Sequence, residues 1–597
     1  MSPRCILFVI SGAAMALAAV FPTAASTAEP AADEVLQGAG LDRGLLVHVG
    51  ATDGSLAIAA AKAEPMVVLA VTADEAAAQS VRGRLVAAGV HGQATASALI
   101  AGRISLADDS AAVVVCDLDA KPPVARDELL RVLRPQGAAW LREGGAWRKV
   151  EKPRPAELDD WGQYHHDAAM TDVSANRKVG PAYGLQWVSG PQVAGDSAHG
   201  VRVSGSLLVQ VDGSPTTDGG EPALVARDAW SGLPLWRRAD MVPLTRYALM
   251  AQGERVYVYA LNRDRGELVW RFLCTPRREL IAADGQLESP WPVLGSVTAD
   301  ERGIYAFAGR HTDTDGGLWW WHLDTAGNVL HQGRVGSDEL KPTTPGSGPK
   351  LPTGPKVHTG MNNIAVMDGD LLLLPRLYFT RTDEGLQWWN ALDQPRFTEP
   401  EFWAKRHAAG TLVPGNQGLL NRVGFLNGYK MSAYSYTQAR MYARHGADFL
   451  MVGGAPQLEH RGGGGGSELR RMKRLDSLTE QTLPNPRNPD RPIIKHRGAE
   501  VVWENTEGVA RGNGLVALAV AGDAVLAGLE VSQSEWRERQ RMPYRLQVLN
   551  LSDGKLRQEL PLSAKPIQGG IAVAGVRVIV VTADGTVACF AGAQQDD

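Results

Sequence analysis

The sequence predicts an α/β, Rossmann-like N-terminal domain followed by an all-β propeller of about seven or eight blades. Three observations carry this reading. Strands alternate with helices from Gly44 to about residue 150. Beyond Asp159 the helical period gives way to short apolar strands separated by Gly, Asp and Asn turns. Two stretches there, "ARDAWSGLPLW" (Ala226 to Trp236) and "ALNRDRGELVW" (Ala260 to Trp270), repeat Ala, Gly and Trp in one register. With 597 residues the chain is also too long for a single core.

Residues 1–28 carry Arg4, an apolar run from Ile6 to Phe21, and small residues near Ser26 and Ala28. This is the pattern of a removable export signal, so a periplasmic or secreted protein is expected. The run is shorter than the roughly 20 residues a membrane span needs, and no span is expected after removal. The alternative is an uncleaved anchor. After processing only Cys116, Cys274 and Cys589 remain, without any CxxC spacing, so the fold must rest on packing rather than cross-links. A net charge of -4 without a basic block excludes nucleic acid as the main partner.

Residues 40–150 form the expected first domain. A strand, "LLVHV", enters a glycine turn and an alanine-rich helix, and Met66 to Val71 gives a second strand and helix. "AAVVVCDL" and "ELLRVLRPQGAAWLREGG" supply a further strand, a helix and a closing strand, so a doubly wound parallel sheet follows. A nucleotide-like ligand at the first turn needs bare glycines, and an acid after the second strand to hold ribose hydroxyls. Gly50 and Gly54 are present, but Thr52 stands at the central glycine, Asp74 comes late after Val71-Thr72-Ala73, and His48 stands near the usual place of the first acid. With "RVLRPQG" (Arg131 to Gly137), these residues resemble class I S-adenosylmethionine methyltransferases. The resemblance implies a cofactor held by Gly50, Gly54 and Asp74. The departures imply a degenerate domain in which that cofactor is not used.

Residues 151–184 read as a connecting strap containing "DDWGQYHHDAAMTDVS". His165, His166 and Asp167 are catalytic or metal candidates. On a strand, adjacent histidines point to opposite sides, so one metal would require a turn and further ligands such as His199, His311, His322 or His358. The alternative packs Trp161 and Tyr164 and bonds both histidines to backbone. That strap reading is preferred, and no metal is assigned.

From residue 185 to 597, weaker copies around Gly327 and Gly554 join the two clear ones, and Gly- and Pro-rich loop insertions are expected near 341–355 and 461–474. A turn glycine at positive φ joins two strands, and the Trp that follows caps the packing between successive sheets. These repeats resemble the quinoprotein-type, or PQQ-like, β-propeller, and the whole plan is similar to a group of exported PQQ-like propeller proteins. Ring closure then pairs the first strand, in "GLQWVSGP" from Gly184, with the last, in "GTVACF" from Gly585. The resemblance implies a quinone on a tryptophan floor with calcium. Here adjacent cysteines are missing, the repeat uses Trp236 and Trp270, and Trp319 to Trp321 read as a strand whose rings face two sheets in turn. PQQ with calcium is left unsupported, and no cofactor is assigned.

Two polar clusters remain. His358, Asn362, Asn363 and Arg376, with Arg381, surround a strand pair. Tyr434, Tyr436 and Arg440, with Tyr442, Arg444 and His445, form the other. Tyr beside Arg suits sugars or carboxylates, and a Tyr or His base beside Arg suits β-elimination from uronic acids. The alternative is an exposed strand with ordinary cross-strand pairs. No GxSxG, HExxH or P-loop pattern is present. The expected function is a binding or assembly module for a polysaccharide or protein partner. The alternatives are a carbohydrate-active enzyme, by quinone oxidation or lyase chemistry in a central depression, and an S-adenosylmethionine-dependent methyltransferase.

Overall fold

The computed structural model describes residues 6–8, 29–39, 43–63, 66–120, 124–176, 183–189, 201–212, 223–239, 257–283, 286–293, 297–309, 316–336, 365–374, 377–390, 441–445, 448–452, 469–486, 488–490, 492–505, 515–530 and 543–592. Tyr434, Tyr436, Arg440, His358, Asn362, Asn363, Arg376 and the 341–355 insertion lie outside them. Among the described residues, no helix is long and apolar enough to cross a membrane.

The first domain is a Rossmann-like sheet. Its elements are α1 (Ala32–Ala39), β1 (Gly44–Val49), α2 (Ser55–Ala63), β2 (Met66–Thr72), α3 (Glu75–Ala87), β3 (Ala94–Ala98), β4 (Ala111–Asp117), α4 (Arg126–Val132), β5 (Leu133–Glu143) and β6 (Ala146–Glu151). The sheet order is β3-β2-β1-β4-β5-β6. Neighbours run parallel except the final pair, β5 with β6. β1 is buried along its whole length, His48 included, as is usual for a central parallel strand. Helices α1 to α3 cover one face through Val35, Leu56, Ala60, Val81 and Leu85, and α4 covers the other through Leu129 and Val132. The domain thus begins before the expected boundary at residue 40: α1 presses Gly38 onto Trp140, where an added Cβ would lie 2.7 Å from the ring.

Seven further sheets of three to five strands make up the rest of the described chain, with one isolated hairpin. Sheet A holds Arg202–Ser204, Leu207–Asp212, Ala223–Asp228 and Pro234–Arg238. Sheet B holds Ile6–Phe8, parallel to Tyr257–Leu261, and Leu268–Leu273. Sheet C holds Thr298–Asp300, Gly303–Ala308, Leu318–Leu323 and Val329–Val335. Sheet D holds Val366–Asp368, Leu371–Leu374, Leu377–Thr382 and Gly385–Asn390. Sheet E holds Met441–His445, Asp448–Val452, Leu469–Leu483 and Ile493–Asn505. Sheet F holds Leu515–Ala521, Ala524–Glu530, Tyr544–Asn550 and Leu556–Pro561, edged by Val173–Ser174. Sheet G joins Pro566–Ala574, Arg577–Thr582 and Val587–Gly592 to Tyr183–Ser189. The expected pairing of first and last strands is therefore present, with Val188 opposite Ala588 and Leu185 opposite Phe590.

One joint recurs between sheets. Trp187 of sheet G lies on Gly232 of sheet A, Trp236 of A on Gly266 of B, Trp270 of B on Gly327 of C, and Trp503 of E on Gly554 of F. At each glycine φ is between +68° and +85°, and an added Cβ would meet the indole at 2.6 to 2.8 Å. An Asp or Asn four residues upstream of two of these glycines heads the turn: Asp228 accepts from the Trp230 and Ser231 amides, and Asn262 from those of Asp264 and Arg265. The indole N–H completes the joint by donating to a backbone carbonyl, Trp236 to Arg263 at 2.9 Å, Trp270 to Thr325 at 3.0 Å and Trp503 to Leu551 at 2.9 Å. Between sheets C and D the role passes to Trp320 and His331, which press on Gly385. Trp319 and Trp321 point to the opposite side of their strand, into the cluster with Val258 and Trp291.

The loop insertion expected near 461–474 is corrected in its second half. Leu469 to Arg474 belong to a long strand in which Leu469 and Met472 are buried and Arg470 donates to Glu504 at 2.8 Å. Buried apolar side chains on both ends of this basic run hold it in the sheet despite its charge.

The Rossmann-like sheet docks on sheets A and G through the N-terminal ends of its strands. Arg134 pairs with Asp228 in a buried salt bridge, Arg577 donates to the Asp108 carbonyl at 2.7 Å, and Arg43 donates to the Leu235 carbonyl at 2.5 Å. The C-terminal ends of β1, β2 and β4 lie on the opposite edge.

Gly266→Ala would combine a left-handed backbone for a Cβ-bearing residue, about 1–2 kcal/mol, with overpacking against Trp236, about 1–3 kcal/mol. A loss of about 2–4 kcal/mol in urea unfolding is expected; a midpoint equal to the wild type would show that the joint carries no load.

Candidate functional site

The strap holds the adjacent histidines in a turn rather than on a strand. Gln163 and His166 exchange backbone hydrogen bonds, and φ is +58° at His165, +85° at His166, +50° at Met170 and +53° at Asp172. Four left-handed residues with side chains in so short a stretch persist only where surroundings over-determine them. Here the surroundings are aspartates, which corrects the expectation that the histidines bond to backbone. His165 Nδ1 meets Asp172 at 2.6 Å; His166 meets Asp159 through Nε2 at 2.7 Å and Asp167 through Nδ1 at 3.3 Å. Thr171 donates both its amide and its hydroxyl to Asp167, and Asp159 further accepts from Ser174 and the Ala175 amide. Trp161 meets His166 edge-on at 4.9 Å and Tyr164 meets His165 at 4.1 Å.

Burial works against a charge on His166, but Asp159 and Asp167 outweigh it and raise its pKa to about 9. Burial would raise both carboxylates, yet the His166 bonds hold Asp159 and Asp167 below the usual range. Asp172 is pushed up by its complete burial, against the pull of His165. A cationic imidazole with both N–H groups donated has no lone pair for a metal or a substrate proton. His166 is therefore a buried ionic tie. Among the described residues no cluster of three or more His, Cys, Asp or Glu is placed to hold a metal.

The strap spends its backbone on the first strands of the sheets. Trp161 exchanges bonds with Val203 of sheet A, the Gln163 side chain clasps the Ala299 backbone of sheet C, Ala168 accepts from Met367 of sheet D, and Asp172 accepts from Val520 of sheet F. Val173–Ser174 then adds a parallel strand to sheet F, and Asp159 accepts from Gly575 of sheet G. Strand edges that would otherwise hold unpaired groups are thus satisfied by one segment.

At the first turn of the Rossmann-like sheet, Gly50 (φ +85°) has open space around it, while Gly54 (φ +72°) abuts Val81. Asp74 is the N-cap of α3, accepting from the Ala77 amide at 2.8 Å. Glu29 lies 3.2 Å from the buried His48, and that hydrogen bond lowers its pKa. The two acid positions of the resembling family are thus filled by a cap and by a His–Glu pair.

Tyr442, Arg444 and His445 fall on Met441–His445, opposite Met451, Phe449 and Asp448 in an antiparallel pair of sheet E. A polar site that the sequence reading did not assemble lies between sheets C and D. Tyr305, His322 and His331 stand opposite one another on three neighbouring strands, and their rings stack at 4.4 Å and 5.6 Å. Together with Arg302, Asp370, Arg381 and Asp383 they line a cavity of about 560 Å³. Arg381 pairs with Asp300 and donates to the Gly369 carbonyl, and Arg302 pairs with Asp370 at 2.9 Å. His322 Nε2 lies 2.9 Å from the Arg302 carbonyl, which can only accept, so this nitrogen carries the proton and Nδ1 is the acceptor. Burial, with His331 and Arg381 nearby, holds its pKa below the ordinary histidine value. Of the cavity's residues the sequence had singled out Arg381, in the cluster around a strand pair, and His322, as a possible metal ligand, but no local pattern brings sheet D to sheet C.

No family model matches the chain, and no curated protein matches it. Among solved structures, the chain is similar over its N-terminal fifth to the cyclase SpnF (23% identity, 19% of this chain and 46% of that chain, TM-score 0.18). It is likewise similar to the YcgJ protein of Bacillus subtilis (19% identity, 18% and 48%, TM-score 0.17) and to geranyl diphosphate C-methyltransferase of Streptomyces coelicolor (14% identity, 18% and 43%, TM-score 0.17). The chain spans about half the length of the solved chains it matches.

Because the folded-state pKa of His166 is raised above 6.5 to about 9, its contribution to stability is complete below pH 6.5 and disappears as pH rises through 9. On the order of 3 kcal/mol is at stake, from a shift of about 2.5 units at 1.36 kcal/mol each. Urea midpoints between pH 6 and 10 should fall for the wild type and stay flatter for His166→Gln; parallel curves would dissolve the tie.

Proposed function

We propose that the chain is an exported ligand-binding module in which sheets A to G are blades of one propeller, plugged at its centre by the strap. The single observation that carries this reading is the strap itself. It bonds to the first strands of sheets A, C, D and F, which are the strands that would line a propeller axis. The successive tryptophan-on-glycine joints and the shared first-and-last sheet support the ring. A filled axis leaves no central depression for a quinone or a lyase site, so the binding surface is assigned to the cavity between sheets C and D. Export is read from residues 1–28, whose removal would take Ile6–Phe8 from sheet B and leave it the pair Tyr257–Leu261 and Leu268–Leu273; the partner is expected to be a polysaccharide rather than a nucleic acid.

Two measurements test this. The full chain mixed with PQQ and calcium should give no absorbance change and no dye reduction; turnover with an alcohol or sugar would place chemistry at the axis and end the proposal. Heat-shift assays with soluble polysaccharides should raise the wild-type midpoint by a few degrees and leave that of His331→Ala unmoved. Equal shifts in both would remove the cavity from the reading.

A second reading, S-adenosylmethionine-dependent methyl transfer, is favoured by one observation. The C-terminal edge of the Rossmann-like sheet, with Gly50 and Gly54 at its first turn, is not the edge that docks on sheets A and G. Against it stand the Asp74 cap and the Glu29–His48 pair. Calorimetry with S-adenosylmethionine should give no heat at 1 mM on the main reading, an order-of-magnitude choice about a thousandfold above a tight site; micromolar binding would make this reading the leading one.

A further inference from the structure

We infer that the cavity between sheets C and D takes an uncharged, polyhydroxylated ligand, a segment of neutral saccharide, and discriminates against uronates. This rests on the binding-module reading above and adds the ligand class, which the charge arrangement of the wall decides.

Both guanidinium groups in the wall are already charge-neutralised by a carboxylate. Arg381 is buried on Asp300 and the Gly369 carbonyl, and Arg302 is paired with Asp370. A carboxylate or phosphate entering here would compete with Asp300 or Asp370 for a guanidinium already neutralised, and it would face Asp370 and Asp383 as like charges. A neutral hydroxyl meets no such penalty, because it donates to a carboxylate and accepts from a guanidinium at once. The Arg302–Asp370 pair is then an asset, since it offers donor and acceptor side by side to neighbouring hydroxyls.

His322 adds a third polar group of fixed sense. With Nε2 donating to the Arg302 carbonyl, the other ring nitrogen can only accept, and the ring cannot turn because it is sandwiched between Tyr305 and His331. Gly303 secures that orientation: an added Cβ would lie 2.8 Å from His322 Nε2, and φ there is +137°. The volume of about 560 Å³ lies within the range of about 300–1,000 Å³ usual for small-ligand sites.

The test uses the full chain and titration calorimetry with four separate probes: cellohexaose, maltohexaose, hexagalacturonate and the fully deacetylated glucosamine hexamer. At least one neutral hexamer should bind at least fivefold more tightly than the other two. Asp383→Asn removes a charge from the exposed lip and should act with opposite signs: weaker neutral binding by threefold or more and stronger hexagalacturonate binding. His322→Phe keeps the stack on Tyr305 while deleting the acceptor together with the bond to the Arg302 carbonyl, and should weaken neutral binding by fivefold or more. Preferential binding of the galacturonate or the amine, lost in His331→Ala, would keep the cavity as a binding site and overturn its ligand class. Absence of binding by all four probes, or neutral binding untouched by every one of these substitutions, would overturn both.

Discussion

The contact on which most of the chain depends is an indole lying flat on a glycine of the next sheet. Neither half works alone. The glycine gives the positive φ that turns one strand into the next, and its missing side chain leaves the space the ring fills. The ring in turn hides the turn from water, and at Trp236, Trp270 and Trp503 it sends its N–H to the turn's own carbonyl. A sheet of three or four short strands is marginal in isolation. Stacked through this joint, each becomes part of a shared core, such as the one that runs through sheets A, F and G.

The strap answers a second problem, created by the first. Stacking sheets through their last strands leaves the edges of their first strands open, and open edges invite pairing with other chains. One irregular segment meets edges that face in different directions, and it does so by abandoning regular geometry at His165, His166, Met170 and Asp172. The strain is held by charge: two half-buried aspartates around a protonated, largely buried imidazole. A buried ionic network of this sort is a poor source of net stability but a strong source of uniqueness, because few other arrangements satisfy all its members.

How far the sequence could be read follows from the range of each signal. The glycine and tryptophan spacing is local and repeated, so the turns around Gly232 and Gly266 and their strands could be placed from the text, as could the pairing of Tyr183–Ser189 with the final strand. The β1 and β2 strands and their helices were legible for the same reason. Ala94–Ala98, small and weakly apolar, gave no strand signal, and the eight residues of α1 preceded the apparent start of the domain. The histidine pair was read as strap, yet its partners were missed, since Asp159 and Asp172 are bonded across a turn whose left-handed residues are not glycines. The cavity beside His322 was out of reach because half of its wall comes from sheet D, which no local pattern ties to sheet C.

The arrangement of sheet G bears on how the protein is made. Three of its strands lie together and the fourth roughly four hundred residues earlier, so the whole intervening chain must be made before that sheet can exist. During synthesis Tyr183–Ser189 waits with half-exposed apolar side chains at Leu185 and Val188, a template for the wrong neighbour. Long-range closure of this kind is slow, so the edge of Tyr183–Ser189 stays open longer than the edges of locally paired strands.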